Sequence, residues 1–389
     1  MGRCAVGRRW RAAAGGVIAI LFGAVAAAAG IYQLLAIIAA LKQLRVEGPL
    51  AGPMPGVSIL KPVRGLDPRF YQAIRSHAEQ DYPEFEILFG VADPGDPAVC
   101  EIERLQANFP GVSIHLIHST SNAPNGKVAV LADLERHAKF PLRLVNDSDI
   151  VVEPRYLRQV LAPLNDVRIG MVTCLYRASA VHWPGRWEAI GIATDFAPSV
   201  LVAPLFGVHE FGLGSTLAFR RQQLEQIGGF AAIADYIADD YQLGKRISGL
   251  GLKVQLSEVV VETSLSADSW GEVWRHQLRW ARTIRVSQGG GYMGLPITNA
   301  SLWALAALAS GWWWTAASLL SVRLTMGLIV GVGVLHCPLT ARYWFLIPFR
   351  DLWGFCVWLA GLWGSDVVWR DRTLRLNSDG TIQSKCGSP

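Results

Sequence analysis

Two long stretches without a charge divide this chain, and they constrain its fold before any motif is considered. No residue from Ala12 to Leu41 is charged, and none from Val286 to Val322. Each run exceeds the ~20 apolar residues needed to cross a bilayer's hydrocarbon core. Between them, from Lys42 to Arg285, charged and turn residues are distributed as in an ordinary globular domain. The chain has 389 residues, with 51% hydrophobic and only 17% charged, and the imbalance comes from those runs. The expected organisation is an N-terminal transmembrane segment (12–41), a soluble-type domain (57–285) and C-terminal membrane helices (296–369).

The first run follows Arg3, Arg8, Arg9 and Arg11. A cleaved signal has an apolar core of about 7–15 residues, so a run about twice that length reads as an anchor. A basic N-terminus outside the cytosol would oppose the positive-inside tendency, a tension the residues leave open. The net charge of +5 comes partly from arginines flanking apolar segments, which suits lipid headgroups. No basic stripe with interleaved aromatics points to nucleic acid. Six cysteines without close pairs (Cys4, Cys100, Cys174, Cys337, Cys356, Cys386) argue against a zinc site or disulfide framework.

Residues 47–56 form a Pro/Gly linker, after which short apolar strands alternate with helical patterns. Strands are expected at Val57–Leu60, Phe85–Val91, Val112–Ile117, Leu142–Val145, Ile169–Tyr176 and Lys253–Leu256. Helices are expected at Phe70–Gln80, Ala98–Asn108, Lys127–His137, Asp239–Ser248 and Trp270–Ile284. This alternation predicts an α/β fold with a doubly wound, mainly parallel sheet, which binds ligands beyond the carboxyl ends of its strands. Lys61, Asp93 and Asp147 each follow such a strand. Farther on, Pro296–Val322 and Leu324–Thr340 read as spans, Arg342–Arg350 as an interfacial helix, Leu352–Ser365 as a third span, and the tail from Arg370 as loosely ordered.

Three clusters carry chemistry. Asp147 and Asp149 flank Ser148 at a strand end, and such a pair can hold one Mg²⁺ or Mn²⁺ whose remaining ligands are phosphate oxygens and water. Asp239-Asp240 opens a helix; adjacent carboxylates there serve either as capping residues or, through mutual repulsion, as a general base of raised pKa. Arg275–Thr283 (RHQLRWART) reads either as a basic membrane-flanking helix or as a diphosphate clamp beside Trp280.

In order, VSILKPVRGLDP, VADPGDPA, NDSDIV, GLGSTLAFRR, ADDYQLG and HQLRW resemble the inverting family 2/21 type glycosyltransferases of GT-A fold. The likeness is greatest to the ceramide glucosyltransferase-like family, and within it to the bacterial hopanoid-biosynthesis branch. It covers about Val57 to Arg285, and the flanking spans fit as well. The resemblance implies Asp93 near the uracil and ribose, and Asp147 and Asp149 on the metal with Asp149 the foremost direct ligand. It implies Asp240 as the base for the acceptor hydroxyl, Lys61 and Lys127 in the donor site, and Arg279-Trp280 as the RW of (Q/R)-x-x-R-W. His276 stands where that motif has Gln or Arg, with Gln277 one residue off register.

The implied activity is inverting transfer from a UDP-sugar to a lipid hydroxyl by an enzyme of the bacterial inner membrane with a cytoplasmic catalytic domain. The implied pair is N-acetylglucosamine and a hopanoid polyol such as bacteriohopanetetrol, with glucose and ceramide as the alternative. A catalytically inactive receptor or scaffold on the same fold is a rival of another class, opposed by the retained aspartates. A polymer synthase would need more spans.

Overall fold

The computed structural model describes residues 3–46, 52–369 and 372–383, with side chains from Ile20 onward. The N-terminal arginines' side chains and linker residues 47–51 lie outside the described residues. A seven-stranded sheet forms the centre: β1 (Val57–Val63), β2 (Phe85–Val91), β3 (Ser113–His118), β4 (Leu142–Val145), β5 (Ile169–Ala180), β6 (Leu217–Arg220) and β7 (Lys253–Leu265). The order is β3-β2-β1-β4-β6-β5-β7. Only β6 runs antiparallel to its neighbours. The expected mainly parallel α/β sheet is therefore present, and strand order reverses between β1 and β4, where such sheets bind ligands.

Alternation along the strands builds a core on each face. Ile59, Ile87 and Leu144 pack with Phe70, Ile74 and Ile102 on one side. Leu60, Leu88 and Val145 pack with Val128, Leu131 and Leu243 on the other. Leu60 pairs with Val145, so Lys61 stands beside the start of the Asn146–Asp149 turn. β5 and β7 run on to Ala180 and Leu265, past the ends expected from sequence. Their polar extension is paired in parallel and held by Glu262, which bridges Arg69 (2.5 Å) and Arg177 (3.0 Å).

Three described helices are long and apolar enough to span a bilayer: Ile20–Gln43, Trp183–Phe206 and Trp313–Val334. The first overlaps the expected N-terminal segment (12–41) and runs on to Gln43. The second falls inside the expected soluble-type domain (57–285), where the sequence predicts no span. It contains Pro198, which cannot donate to the carbonyl four residues back. The helix widens into a π turn at Ile192–Phe196, and the Thr194 carbonyl accepts instead from Arg323 Nη1 (3.0 Å).

The expected span Pro296–Val322 is not one helix. It breaks into Gly289–Thr298, Ala300–Ala309 and the start of Trp313–Leu328, with Gly311 at φ 79° making the turn. The ten-residue middle helix reaches only about 15 Å, half the hydrocarbon thickness. Nor is Leu324 a span boundary, because Arg323 sits inside the third long helix. Arg323 bonds Asp351 (Nη2–Oδ1 2.6 Å) and Asp195 (2.7 Å), while Arg350 reaches Asp195 (3.1 Å). Two cations and two anions thus neutralise one another, and both Arg323 and Asp351 are buried. Where an interfacial helix (Arg342–Arg350) and a third span (Leu352–Ser365) are expected, one helix, Ile347–Gly361, runs through both, preceded by the short helix Pro338–Tyr343.

The described part of the tail is docked rather than loose. β8 (Asp366–Trp369) and β9 (Arg372–Arg375) form a hairpin. Ile382 N–H donates to the Asp235 carbonyl (2.7 Å) and Ile237 N–H to that of Gly380 (3.2 Å). Val367, Leu376 and Ile382 bury Ile237 between them. The tail therefore braces the segment leading into Asp239-Asp240.

Candidate active site

The site assembles at the strand ends around a residue with no side chain. Asn125 caps the helix Gly126–His137 by accepting from the N–H groups of Lys127 and Val128 (3.1 and 3.2 Å). That cap fixes Lys127, whose Nζ lies 2.8 Å from Asp147 Oδ1 and 3.4 Å from Asp239 Oδ2. Gly214 N–H donates to Asp240 Oδ2 (2.9 Å), and Tyr241 N–H donates to Oδ1 (2.7 Å). A methyl at Gly214 would lie 3.2 Å from Asp147 Oδ2, 3.5 Å from Asp240 Oδ2 and 3.6 Å from Lys127 Nζ. Asp147, Asp240 and Lys127, distant in sequence, surround one point. The N-cap position of this helix is held by Ala238, so neither aspartate is the N-cap, and Asp240 spends its oxygens on the Tyr241 and Gly214 N–H groups.

The electrostatics follow from burial and crowding. Burial, then the Asp239 charge, pushes Asp240 up to about 6, with Lys127 and the Tyr241 N–H pulling the other way. Burial, then Asp147, raises Asp149 to about 6, although Thr263 donates its hydroxyl to Asp149. Burial works against the Lys127 charge, but Asp147, Asp239 and Asp240 prevail and hold its pKa above the ordinary lysine value. Asp147 keeps 45% of its side chain exposed. Two repelling carboxylates, one of them open, fit a divalent cation. Among the described residues no three His, Cys, Asp or Glu side chains converge, so the protein would supply about two ligands, as Mg²⁺-type sites beside phosphates commonly do.

Lys61 belongs to this group from below. It is fully buried, donates to the Asp147 carbonyl (3.1 Å), and burial lowers its pKa to about 7. It supports the aspartate turn and is closed to solvent. Asp93 stands apart at the end of β2, exposed, with Oδ1 accepting from Gly95 N–H (2.9 Å). Below the turn lies a polar chain that sequence reasoning missed. Asn146 donates to His77 Nε2 (2.9 Å) and Tyr156 (3.4 Å), and Tyr156 meets Thr216 (2.9 Å). Burial keeps His77 well below the usual histidine range, so its Nδ1–H donates to the Ala73 carbonyl (2.9 Å).

The helix Trp270–Ser287 forms another wall. Burial lowers the Arg279 pKa against the fields of Glu188, Asp147 and Asp240, which places this cation among the acidic groups. Trp280 packs against Phe196 (6.3 Å) and the His276 ring (4.5 Å). Gln277 faces elsewhere, accepting from Trp353 Nε1 (2.7 Å), so it does not replace the motif glutamine. Arg282 and Arg285 bond carbonyls of the Leu362–Asp366 segment and tie this helix to the tail. Arg275 on the same helix is exposed.

Residues 18–382 match the family model described as glycosyl transferase family 21. The chain belongs to that family. This family 21 chain is 27% identical over 207 residues to ceramide glucosyltransferase 1 of Caenorhabditis elegans, covering 52% of the chain and 44% of the relative. It is 33% identical over 123 residues to ceramide glucosyltransferase of Candida albicans, covering 28% and 23%. The chain thus spans less than half the length of these two curated relatives. The expected ceramide glucosyltransferase-like kinship is borne out. Among solved structures, the mannosyltransferase PcManGT of Pyrobaculum calidifontis, in complex with GDP-Man and Mn²⁺, superposes with a TM-score of 0.54 at 19% identity. That match covers 88% of this chain and 97% of the other, and it shows a shared GT-A-like fold.

Proposed function

We propose that this family 21 chain moves a sugar from a UDP-sugar to a hydroxyl of a membrane lipid, inverting the anomeric carbon. The observation that carries the reading is the convergence of Asp147, Asp240 and Lys127 around Gly214, beside Asp149, in a chain with three bilayer-length helices. Asp147 and Asp149 are the residues to hold a divalent cation, Mg²⁺ or Mn²⁺, with Asp149 the direct ligand. When bound it would supply Lewis-acid stabilisation of diphosphate charge.

The chain's own residues do the rest. Asp240 accepts the acceptor's proton as that oxygen bonds to the anomeric carbon. The bond from that carbon to the diphosphate breaks, its electron pair leaves on phosphate oxygen, and Arg279 offsets the charge. Lys127 holds Asp147 and Asp239 in place, Lys61 supports the turn, and Asp93 meets the uracil and ribose. An α-linked donor then gives a β-glycoside.

The lipid acceptor is supported by the wall itself. Phe196, on the apolar Trp183–Phe206 helix, packs beside Trp280, so bilayer-type surface borders the site. The proposed pair is N-acetylglucosamine and a hopanoid polyol, on the GLGSTLAFRR and ADDYQLG stretches. The second reading, glucose and ceramide, is favoured by the names of the relatives. The proposed setting is the bacterial inner membrane with the catalytic domain on the cytoplasmic side. Membranes containing the chain are incubated with each labelled UDP-sugar and each lipid. A β-linked glycolipid from the first pair supports the proposal, glucose on ceramide alone replaces that pair, and an α-linked product refutes inversion.

A further inference from the structure

Glu188 is a buried carboxylate that the proposed chemistry does not use. Its side chain is 1% exposed, and its Oε1 accepts from His276 Nδ1 at 2.6 Å. The second oxygen, Oε2, is buried without a hydrogen-bond partner. A carboxylate in that position is costly unless it is paired, and its compensation is the His276 contact together with the nearby charge of Arg279. His276 in turn packs its ring on Trp280 and occupies the position one helical turn before Arg279. Nδ1 is engaged by a closed carboxylate while 31% of the side chain stays exposed, which leaves Nε2 as the ring nitrogen free to meet a ligand.

We propose that Glu188 is a positioning residue: it clamps His276 through Nδ1 so that the opposite ring edge faces the donor's diphosphate beside Arg279. This rests on the glycosyl-transfer reading above. A ligand-binding histidine is oriented by the hydrogen bond its other nitrogen makes, and a carboxylate partner locks both tautomer and ring angle. The Trp280 ring packed on His276 and the Glu188 hydrogen bond together resist rotation of the imidazole. A glutamine or arginine at position 276 would present its donors without such a clamp, which accounts for the motif departure and the buried acid occurring together. Glu188 touches no ligand itself and acts through His276.

The test is a double-mutant cycle on full-length protein in detergent. Its readouts are the dissociation constant for uridine diphosphate with Mg²⁺, donor KM and kcat, and the melting temperature. His276→Ala and Glu188→Ala should each weaken uridine diphosphate binding about tenfold, and the double variant should be no worse than His276→Ala alone. His276→Arg should restore binding to within about threefold of wild type, and adding Glu188→Ala to it should change binding less than twofold. Glu188→Gln, which keeps the volume, serves if Glu188→Ala does not fold, and it should weaken binding with an unchanged melting temperature. Additive losses, or a Glu188 variant that melts lower but binds uridine diphosphate normally, would overturn the assignment. Wild-type protein that fails to bind uridine diphosphate overturns this assignment together with the transfer reading. Normal wild-type binding with additive losses overturns the assignment alone.

Discussion

Gly214→Ala probes the centre of the site without disturbing the fold. Gly214 is not among the glycines of positive φ, so alanine fits its backbone, and its N–H remains able to donate to Asp240. The added methyl would stand 3.2 Å from Asp147 Oδ2, a contact that must open by a few tenths of an ångström. Asp147 is the group that moves, and it is held to Lys127 at 2.8 Å. The methyl also fills space between Asp147 and Asp240 that reactants need. A misplacement of about 1 Å can cost 10²-fold, so a smaller shift plus steric filling should lower kcat/KM by about 10- to 100-fold. That is about 1.4–2.7 kcal/mol of transition-state stabilisation. Stability should stay equal or rise slightly, because alanine restricts the unfolded chain. Initial rates of labelled sugar transfer and a thermal melt measure both. Gly212→Ala is the contrast: its methyl would meet the Asp240 carbonyl at 2.7 Å, so it should lose stability as well as activity. A Gly214→Ala enzyme within threefold of wild type, with an unchanged melt, would refute joint action of Asp147, Asp240 and Lys127 across this gap.

Other outcomes follow from the same geometry. Asp240→Asn should reduce kcat by about 10²–10⁴-fold while leaving uridine diphosphate affinity within threefold, as measured by turnover and calorimetry. A base raised to about 6 works only when deprotonated, so the wild-type rate should fall about tenfold per pH unit below about 6; an acid limb near 4 contradicts the assignment. Asp149 binds its proton more tightly folded than unfolded, so its contribution to stability is present at low pH and lost as pH rises through about 6. Asp149→Asn should therefore stabilise metal-free protein at pH 7.5 by at most roughly 3 kcal/mol, seen as a higher melting temperature, while abolishing transfer; a lower melt would show that the charge is compensated. Asp351→Asn leaves Arg323 short of its buried partner and should cost about 3–5 kcal/mol, read from the melt in detergent. Pairing it with Arg323→Met should recover part of that loss.

Local patterns were legible in the sequence because their causes are local. Apolar runs bounded by turn residues marked β2 and β4 and the helices Ala98–Asn108 and Asp239–Ser248, all with the bounds the structure has. Asp147, Asp149 and Asp240 stood out because charged residues beside buried strands or at helix starts are unusual. Arg323 misled the reading of the membrane region, since its neutralising partners Asp195 and Asp351 lie far away in sequence. The polar extension of β7 was hidden in the same way, because Arg69 and Arg177 arrive from elsewhere to meet Glu262.

The sequence by itself determined the class of chain: the first uncharged run fixes an N-terminal membrane-length helix, and strand–helix alternation fixes a mainly parallel sheet, because both depend on neighbours along the backbone. Only the tertiary structure decided what stands across the site from what. Gly214 became its centre because β6 returns antiparallel beside β4 and brings its preceding loop to the Asp147 turn. Lys61 became a buried support, the tail a brace on the Asp240 segment, and His276 a ring held by Glu188. Each of these depends on desolvation and distance between groups remote in the chain, quantities that no local pattern of residues encodes.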